Sequence, residues 1–388
     1  MSDDIYSHDI LTYPLFSELN AVISRHFEVT DSAIEYGMPV FLFRWPNGIV
    51  PHSDEQTRVF DELDSEAERL GVWPVVRWRN RKEGEYVAHF VRVQKLPPSD
   101  VRINYALFIA TMCTIAIGGF LQATNPVFLS LFYPNGWTYL DIALVTFSFI
   151  ASIMGIFFTH EMGHYLMAKR RRVEATPPYF IPGIPDLGGT FGAFIQQRSP
   201  PRHRRDLFDL GVAGPLAGFA VTVVVLVVGY LLSLPITAEQ LAAIKAEFPD
   251  MVGELGVPLL YLLLDVVFAG FIPEGGTLYL HPIGFAAWVG CLVTSLNLFP
   301  VSQLDGGHAL RAIVPARVHK EIGYIAIIAM LLAGFFMMAI LVLLLSQGRE
   351  HPGPLNDTVP LSRGRQVLFI LVMIVLILCI PPLSLMMF

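Results

Sequence analysis

The chain has 388 residues, of which 54% are hydrophobic and only 15% charged, with a mean hydropathy of +0.55. That is too apolar for a water-soluble protein of this size and excludes an ordinary cytosolic enzyme, a disordered chain and a secreted disulfide scaffold. Cys113, Cys291 and Cys379 all sit in apolar runs, which argues against a disulfide framework, and a net charge of −7 offers nucleic acid no general attraction.

Charge is spread unevenly. Residues 1–100 hold 17 Asp/Glu and 10 Lys/Arg, whereas the remaining 288 residues hold 16 of each. The boundary falls at Leu96-Pro97-Pro98. The expected organisation is a small soluble α+β domain over 1–100 and a polytopic α-helical membrane domain over 101–388, its core about 139–315. Met1–Asp9 is acidic rather than basic then apolar, so no signal peptide is expected there. Met38–Arg44, Val72–Trp78 and Glu85–Val93 read as strands, with a turn at Trp45-Pro46-Asn47-Gly48. Ser53 is placed to cap a helix that runs to about Leu70 and stops at Gly71. His26, His52 and His89 are scattered and suggest no catalytic group in this part.

Six apolar runs are long enough to cross a bilayer, which takes about 20 residues each: Asn104–Gln122, Tyr139–Ala168, Asp209–Leu234, Ile283–Pro300 onward, Ile322–Ser346 and Gln366–Phe388. A seventh, Val257–Ile272, is shorter and contains Asp265. Lys169–Arg172 and the basic run Arg198–Arg205 follow the second span, which puts that loop in the cytosol, while loop 123–138 has no Lys or Arg. The soluble domain is then cytosolic too, in a protein expected in the cell membrane. Reading Val257–Ile272 as re-entrant or interfacial brings Arg311, Arg317 and Lys320 to the cytosol, but leaves Arg349, Arg363 and Arg365 outside, against the rule.

The second span carries His160-Glu161-Met162-Gly163-His164. Positions i and i+4 share a helix face, so both imidazoles can reach one metal ion, and Glu161 can take a proton from a metal-polarised water. HExxH alone is a modest signal. Three ionisable residues within five positions of a membrane helix are costly, however, and mark a functional site. Catalytic zinc usually takes three protein ligands. Among Asp209, Asp265 and Asp305, the last is the best candidate, because Pro300 and the Gly306-Gly307 pair would unwind the helix and turn it inward. His308 reads as a water-facing or supporting residue rather than a fourth ligand.

HExxH in one span with Asn297-x-x-Pro300-x-x-x-Leu304-Asp305-Gly306 in a later one resembles the paired signature of the site-2 protease family of intramembrane zinc metalloproteases. Gly188–Phe194 resembles that family's membrane-associated β segment, and Ala213–Gly218 the start of its third core helix. The resemblance covers about residues 104–345. It implies one Zn2+ per chain held by His160, His164 and Asp305, with Glu161 as general base and Asn297 near the substrate. The implied partners are membrane-spanning protein substrates and the bilayer, without nucleic acid. Only 22 residues lie at 235–256, so the PDZ insertion of some members is not expected. An exposed β edge at Gly188, Gly189, Thr190, Phe191 and Gly192 could pair with an unwound substrate. Gly214 and Gly218 read better as close helix packing. A divalent-cation transporter or channel is the alternative; it needs Glu161 as a ligand and an ionisable path onward, of which only Asp141 is visible. An inactive scaffold is weaker, since every residue that the chemistry needs is present.

Overall fold

The computed structural model describes residues 16–46, 54–93, 100–249, 256–302, 304–332, 334–346 and 351–381. Helix α1 (Phe16–His26), strands β1 (Glu28–Glu35) and β2 (Met38–Arg44), helix α2 (Asp54–Arg69), and strands β3 (Val72–Asn80) and β4 (Glu85–Arg92) come first. The strands form one antiparallel sheet of order β1-β2-β4-β3. Leu19 and Ile23 of α1 and Phe60 and Leu63 of α2 pack with Phe41, Phe43, Val76 and Phe90 in a common core. The expected strands are present within two residues, and Gly71 follows α2 in the left-handed region (φ 78°). Ser53, Asn47-Gly48 and Leu96–Pro98 lie outside the described residues.

Sequence reading gave no warning of α1 or β1. Strand β1 is an edge strand with almost every side chain exposed, so its sequence has no apolar face to alternate. Its turn into β2 uses Tyr36 and Gly37, both at positive φ (51° and 75°), the two-residue hairpin geometry that suits right-twisted strands.

Helices α3 (Val101–Ala123), α5 (Tyr139–Arg170) and α6 (Arg204–Leu232) are long and apolar enough to cross a membrane; the short α4 (Pro126–Phe132) lies between the first two. Asp141 caps the start of α5, accepting from the Thr138 amide at 2.8 Å. A hairpin of β5 (Tyr179–Pro182) and β6 (Thr190–Phe194) leans on α3. Its turn includes Gly189 (φ 77°), whose added Cβ would lie 2.5 Å from the Ile115 Cα. After α6 come β7 (Leu234–Ile236), α7 (Ala238–Glu247), α8 (Leu259–Val267), and β8 (Thr277–Tyr279), which pairs with β7. Helix α8 has nine residues, about 14 Å, too short to cross about 30 Å of hydrocarbon.

The remaining expected spans are shorter than the sequence suggests. Helix α9 (Pro282–Leu298) has 17 residues and is mostly buried within the bundle. Backbone at 299–304 separates it from α10 (Asp305–Ile313). Ile322–Ser346 is not one continuous span: α11 (Ala316–Leu332) and α12 (Phe336–Ser346) break at Gly334 (φ 86°). The pair doubles back, since the ring of His319 near the start of α11 meets that of His351, which follows α12, edge to face at 5.4 Å. Helix α13 (Arg363–Cys379) is last. Its Arg365 holds Asp209 at 2.8 and 2.9 Å, and Asp209 also pairs with Arg171. Arg363 and Arg365 therefore share a face with the basic Lys169–Arg172 segment, correcting the expectation that a single crossing would part them. Arg349 lies outside the described residues.

Candidate metal centre

Helix α5 presents His160, Glu161 and His164 on its buried side, with 5%, 4% and 8% of their surfaces exposed. Helix α6 lies almost against them because its facing residues are glycines. A Cβ at Gly218 would come 3.0 Å from the His160 Cβ, and one at Gly214 would overlap the His164 imidazole. Gly163 makes the reciprocal approach: a Cβ there would lie 2.6 Å from the Ala213 carbonyl oxygen. These contacts bear out the packing role expected for Gly214 and Gly218.

Asp305 arrives from α10. Pro300 follows the end of α9 and lacks the N–H that a continuing helix would need. The chain then turns through Ser302 (φ 49°) and restarts with Leu304 as N-cap and Asp305 as the first helical residue. Gly306 and Gly307 do not unwind the helix as expected; both belong to α10. Their lack of a Cβ admits the preceding loop, whose Phe299 and Val301 carbonyl oxygens would lie 2.7 and 2.5 Å from such atoms.

His160 Nε2 and His164 Nε2 are 3.1 Å apart, and Asp305 Oδ2 is 3.4 and 3.2 Å from them. Zinc bonds of about 2.0–2.1 Å in a tetrahedron give donor-to-donor edges of about 3.3 Å. The three atoms therefore fit one face of a zinc coordination shell. His164 Nδ1 lies 2.9 Å from the Leu210 carbonyl oxygen. A carbonyl only accepts, so Nδ1 carries the proton and Nε2 is left with a lone pair facing the other two donors. Asp209 and Asp265 are engaged elsewhere, the former by Arg171 and Arg365, the latter by the Tyr230 hydroxyl at 2.7 Å.

Among the described residues this trio forms the His/Cys/Asp/Glu group compact enough for a metal, and Glu161 is not part of it. Glu161 instead lines a cavity of about 610 Å3 that opens beside the three donors. Asn297 lies on the same wall, its Nδ2 3.3 Å from His160 Nε2. Gly188, Gly189, Thr190, Phe191 and Gly192 do not line the cavity; the following residues Ala193, Phe194 and Ile195 do. The Thr190 hydroxyl is spent inside the hairpin on the Ile181 carbonyl at 2.9 Å. Residues 197–201 and His351-Pro352-Gly353 complete the lining. The basic run from Arg198 read in the sequence only as a topology signal, and no motif marked 351–353, which the chain after α12 brings in and no spacing announces.

The sequence model of peptidase family M50 matches residues 148–341. Curated relatives include the probable zinc metalloprotease EGY1, chloroplastic, of Arabidopsis thaliana, 29% identical over 88% of this chain and 60% of that protein. The protein of the same name from Oryza sativa subsp. japonica is 35% identical over 41% of this chain and 26% of its own length. The probable zinc metalloprotease EGY2, chloroplastic, of Oryza sativa subsp. indica is 29% identical over 62% and 42%. The chain thus spans at most 60% of the length of these relatives. No solved structure matches it.

Proposed function

The chain belongs to peptidase family M50, the site-2 protease family, and on that premise we propose that it is an intramembrane zinc endopeptidase. Its substrates would be membrane-anchored proteins, cut within or beside a transmembrane segment. His160, His164 and Asp305 would hold one Zn2+, and the observation that carries this reading is the near-tetrahedral spacing of their donor atoms.

Bound zinc supplies Lewis acidity, polarising the scissile carbonyl and making water acidic enough to attack near neutral pH. Glu161, outside the donor trio but on the cavity wall, takes the proton of the attacking water and returns it to the leaving amide nitrogen. The Leu210 carbonyl keeps His164 in the tautomer that leaves Nε2 free. The Asn297 amide, whose Nδ2 lies 3.3 Å from His160 Nε2 on the cavity wall, would donate to the substrate carbonyl as charge develops on its oxygen. A helical substrate hides its peptide bonds, so the segment that enters must be extended; the cavity edge at Ala193–Ile195, the end of β6 and its continuation, suits such a chain.

Residues 1–100 would form a cytosolic α+β domain and 101–388 a membrane protease domain with a core of about 139–315. Six crossings remain an option only if the shorter helices are counted. The basic segments Lys169–Arg172 and Arg198–Arg205, together with Arg363 and Arg365 on their face, favour a site that opens to the cytosol of the cell membrane.

Metal analysis of the purified full chain tests the reading. One zinc is expected in the wild type and in Glu161→Ala, and little in Asp305→Ala, while Glu161→Ala no longer cleaves a transmembrane substrate in detergent. Loss of zinc from Glu161→Ala would make Glu161 a ligand and favour cation transport.

A further inference from the structure

A row of imidazoles runs into the cavity wall beside the donor trio, and the reaction described above leaves it unused. His308, three residues beyond Asp305 on α10, lines the cavity. Its Nδ1 lies 2.8 Å from Nε2 of His351, with the rings nearly perpendicular at 87°. The Gly353 amide nitrogen in turn lies 3.0 Å from His351 Nδ1.

The positions of the protons follow from that last contact. A backbone amide can only donate, so His351 Nδ1 must be the bare ring nitrogen. Burial pushes the His351 imidazole down to about 2, so the ring is neutral and carries its single proton on Nε2. That proton is donated to His308 Nδ1, which must then be bare as well. The His308 proton is left on Nε2, the one ring nitrogen not engaged with His351. His308 contributes no atom to the metal trio.

We infer that His308 donates its Nε2–H to the carbonyl oxygen of the scissile peptide bond, and that His351 is the positioning residue that holds His308 in this tautomer. The inference rests on the zinc-peptidase reading and deepens it: with the Asn297 amide, the carbonyl oxygen would meet two protein donors rather than one.

His351 owes its place to the N-terminal sheet, which gives residues 16–93 a part in the site. Arg77 of β3 donates from Nη2 to the Pro352 carbonyl and from Nη1 to the Leu355 carbonyl, both at 2.8 Å. Residues 351–357 form a strap that bridges β3 and residues 201–203: Val76 N–H donates to Leu355 O at 2.8 Å, and Asn356 N–H to Arg202 O at 2.8 Å. Leu355 is buried in the core of the N-terminal sheet. Beyond it, Asp357 accepts from Arg204 at 2.7 Å and from Arg311 at 2.6 Å. Gly353 (φ 70°) sits so close to Arg311 that a Cβ would lie 2.5 Å from Nη2.

The test uses the full chain in detergent, loaded with zinc and labelled with 15N-histidine, with a transmembrane peptide as substrate. His308→Ala should keep one zinc, leave KM within about twofold, and lower kcat by about 10²-fold, as loss of one carbonyl-oxygen donor does elsewhere. His308→Gln, which can present an amide N–H near the same point, should recover about tenfold of that. His351→Ala should lower kcat about tenfold at unchanged KM, and His351→Gln should restore part of it. In the 15N spectrum, the signals that vanish in His308→Gln should be those of a bare Nδ1 and a protonated Nε2, and His351→Ala should mix the two tautomers. An active wild type with unimpaired His308→Ala, a KM effect alone, or a protonated Nδ1 on His308 overturns the inference and leaves the peptidase reading standing. Zinc lost from His308→Ala would make it a ligand and also overturns it. A zinc-loaded wild type that cleaves nothing, yet shows the expected tautomer, overturns the peptidase reading and the carbonyl contact with it.

Discussion

The glycine face of α6 makes a graded prediction about the metal site. In Gly214→Ala the new methyl group would lie 2.6 Å from His164 Cε1 and closer still to Nε2 and Cδ2. Ordinary carbon contacts need about 3.5–4.0 Å, so the ring or the helix must yield by about 1 Å or more. Moving the ring breaks its 2.9 Å contact with Leu210 O and disturbs donor separations of 3.1 and 3.2 Å. Overpacking of this kind costs about 1–3 kcal/mol of stability. Losing the contact that orients a ligand costs about 10–100-fold in metal affinity. In Gly218→Ala the methyl meets His160 at 3.0 Å or more, a smaller overlap, and should fall between. Gly155→Ala is the control on α5: its methyl meets Val221 Cγ1 at an ordinary 3.7 Å, and it should be neutral or gain about 0.5–1 kcal/mol of helix propensity. Zinc affinity by chelator competition and thermal melting of the three variants would read the series. A Gly214→Ala protein that binds zinc within twofold of wild type and melts no lower would refute the packing argument.

Three further outcomes follow from the strap and the helical hairpin. Burial alone would raise the Asp357 carboxyl, but the Arg311 hydrogen bond and the charges of Arg204, Arg311 and Arg77 hold it below its usual value. Its contribution to stability is therefore full above the unfolded value of about 3.9 and lost as pH falls through the lower folded value. Asp357→Asn should flatten that acid limb of a melting profile, and should cost about 3–5 kcal/mol at neutral pH by leaving two buried guanidinium groups without their anion. Arg77→Ala removes both bonds to the strap carbonyls and should lower kcat on a transmembrane peptide severalfold, with zinc content unchanged. Cysteines placed at Lys169 and Arg363 should react with an impermeant reagent from the same side of a vesicle; labelling from opposite sides would mean that α11 and α12 cross after all.

The chemistry was legible in the sequence to the extent that it is local. The i, i+4 histidines and the Pro300 break each announce themselves within a few residues, and Asp305 follows from the break. What a pattern could not carry was approach. Gly306 and Gly307 look like helix breakers, yet their physical role is to let two backbone segments touch inside a helix and its preceding loop. Gly334 stands in an apolar run long enough to cross, and the run breaks there at a left-handed φ of 86°. That reversal also bears on the charge pattern, because it brings Arg365 to Asp209 and so beside Arg171, where one continuous crossing would have parted them. His351 was invisible for the same reason: its partner His308 is 43 positions away and is reached through the reversal.

The charged groups around the site lie at one level, and this level defines how the site is reached. His164 and His160 are six and ten residues before Arg170 on α5, about 9 and 15 Å along its axis. At the end of α5, Arg171 meets Asp209, and Asp209 meets Arg365. Arg204 and Arg311 meet Asp357 beside them. Five parts of the chain that are distant in sequence thus place ion pairs beside one another, where partial contact with water lowers the cost of burying them. The cavity passes from the donor trio to Arg198 and Ser199 in the basic loop and to the strap at 351–353. On the proposed function, water and an extended peptide would enter by this route without crossing the apolar halves of α5 and α6. The strap that borders the route is also the segment paired to the N-terminal sheet, so a shift of that sheet would change the position of His351 and the width of the entrance together.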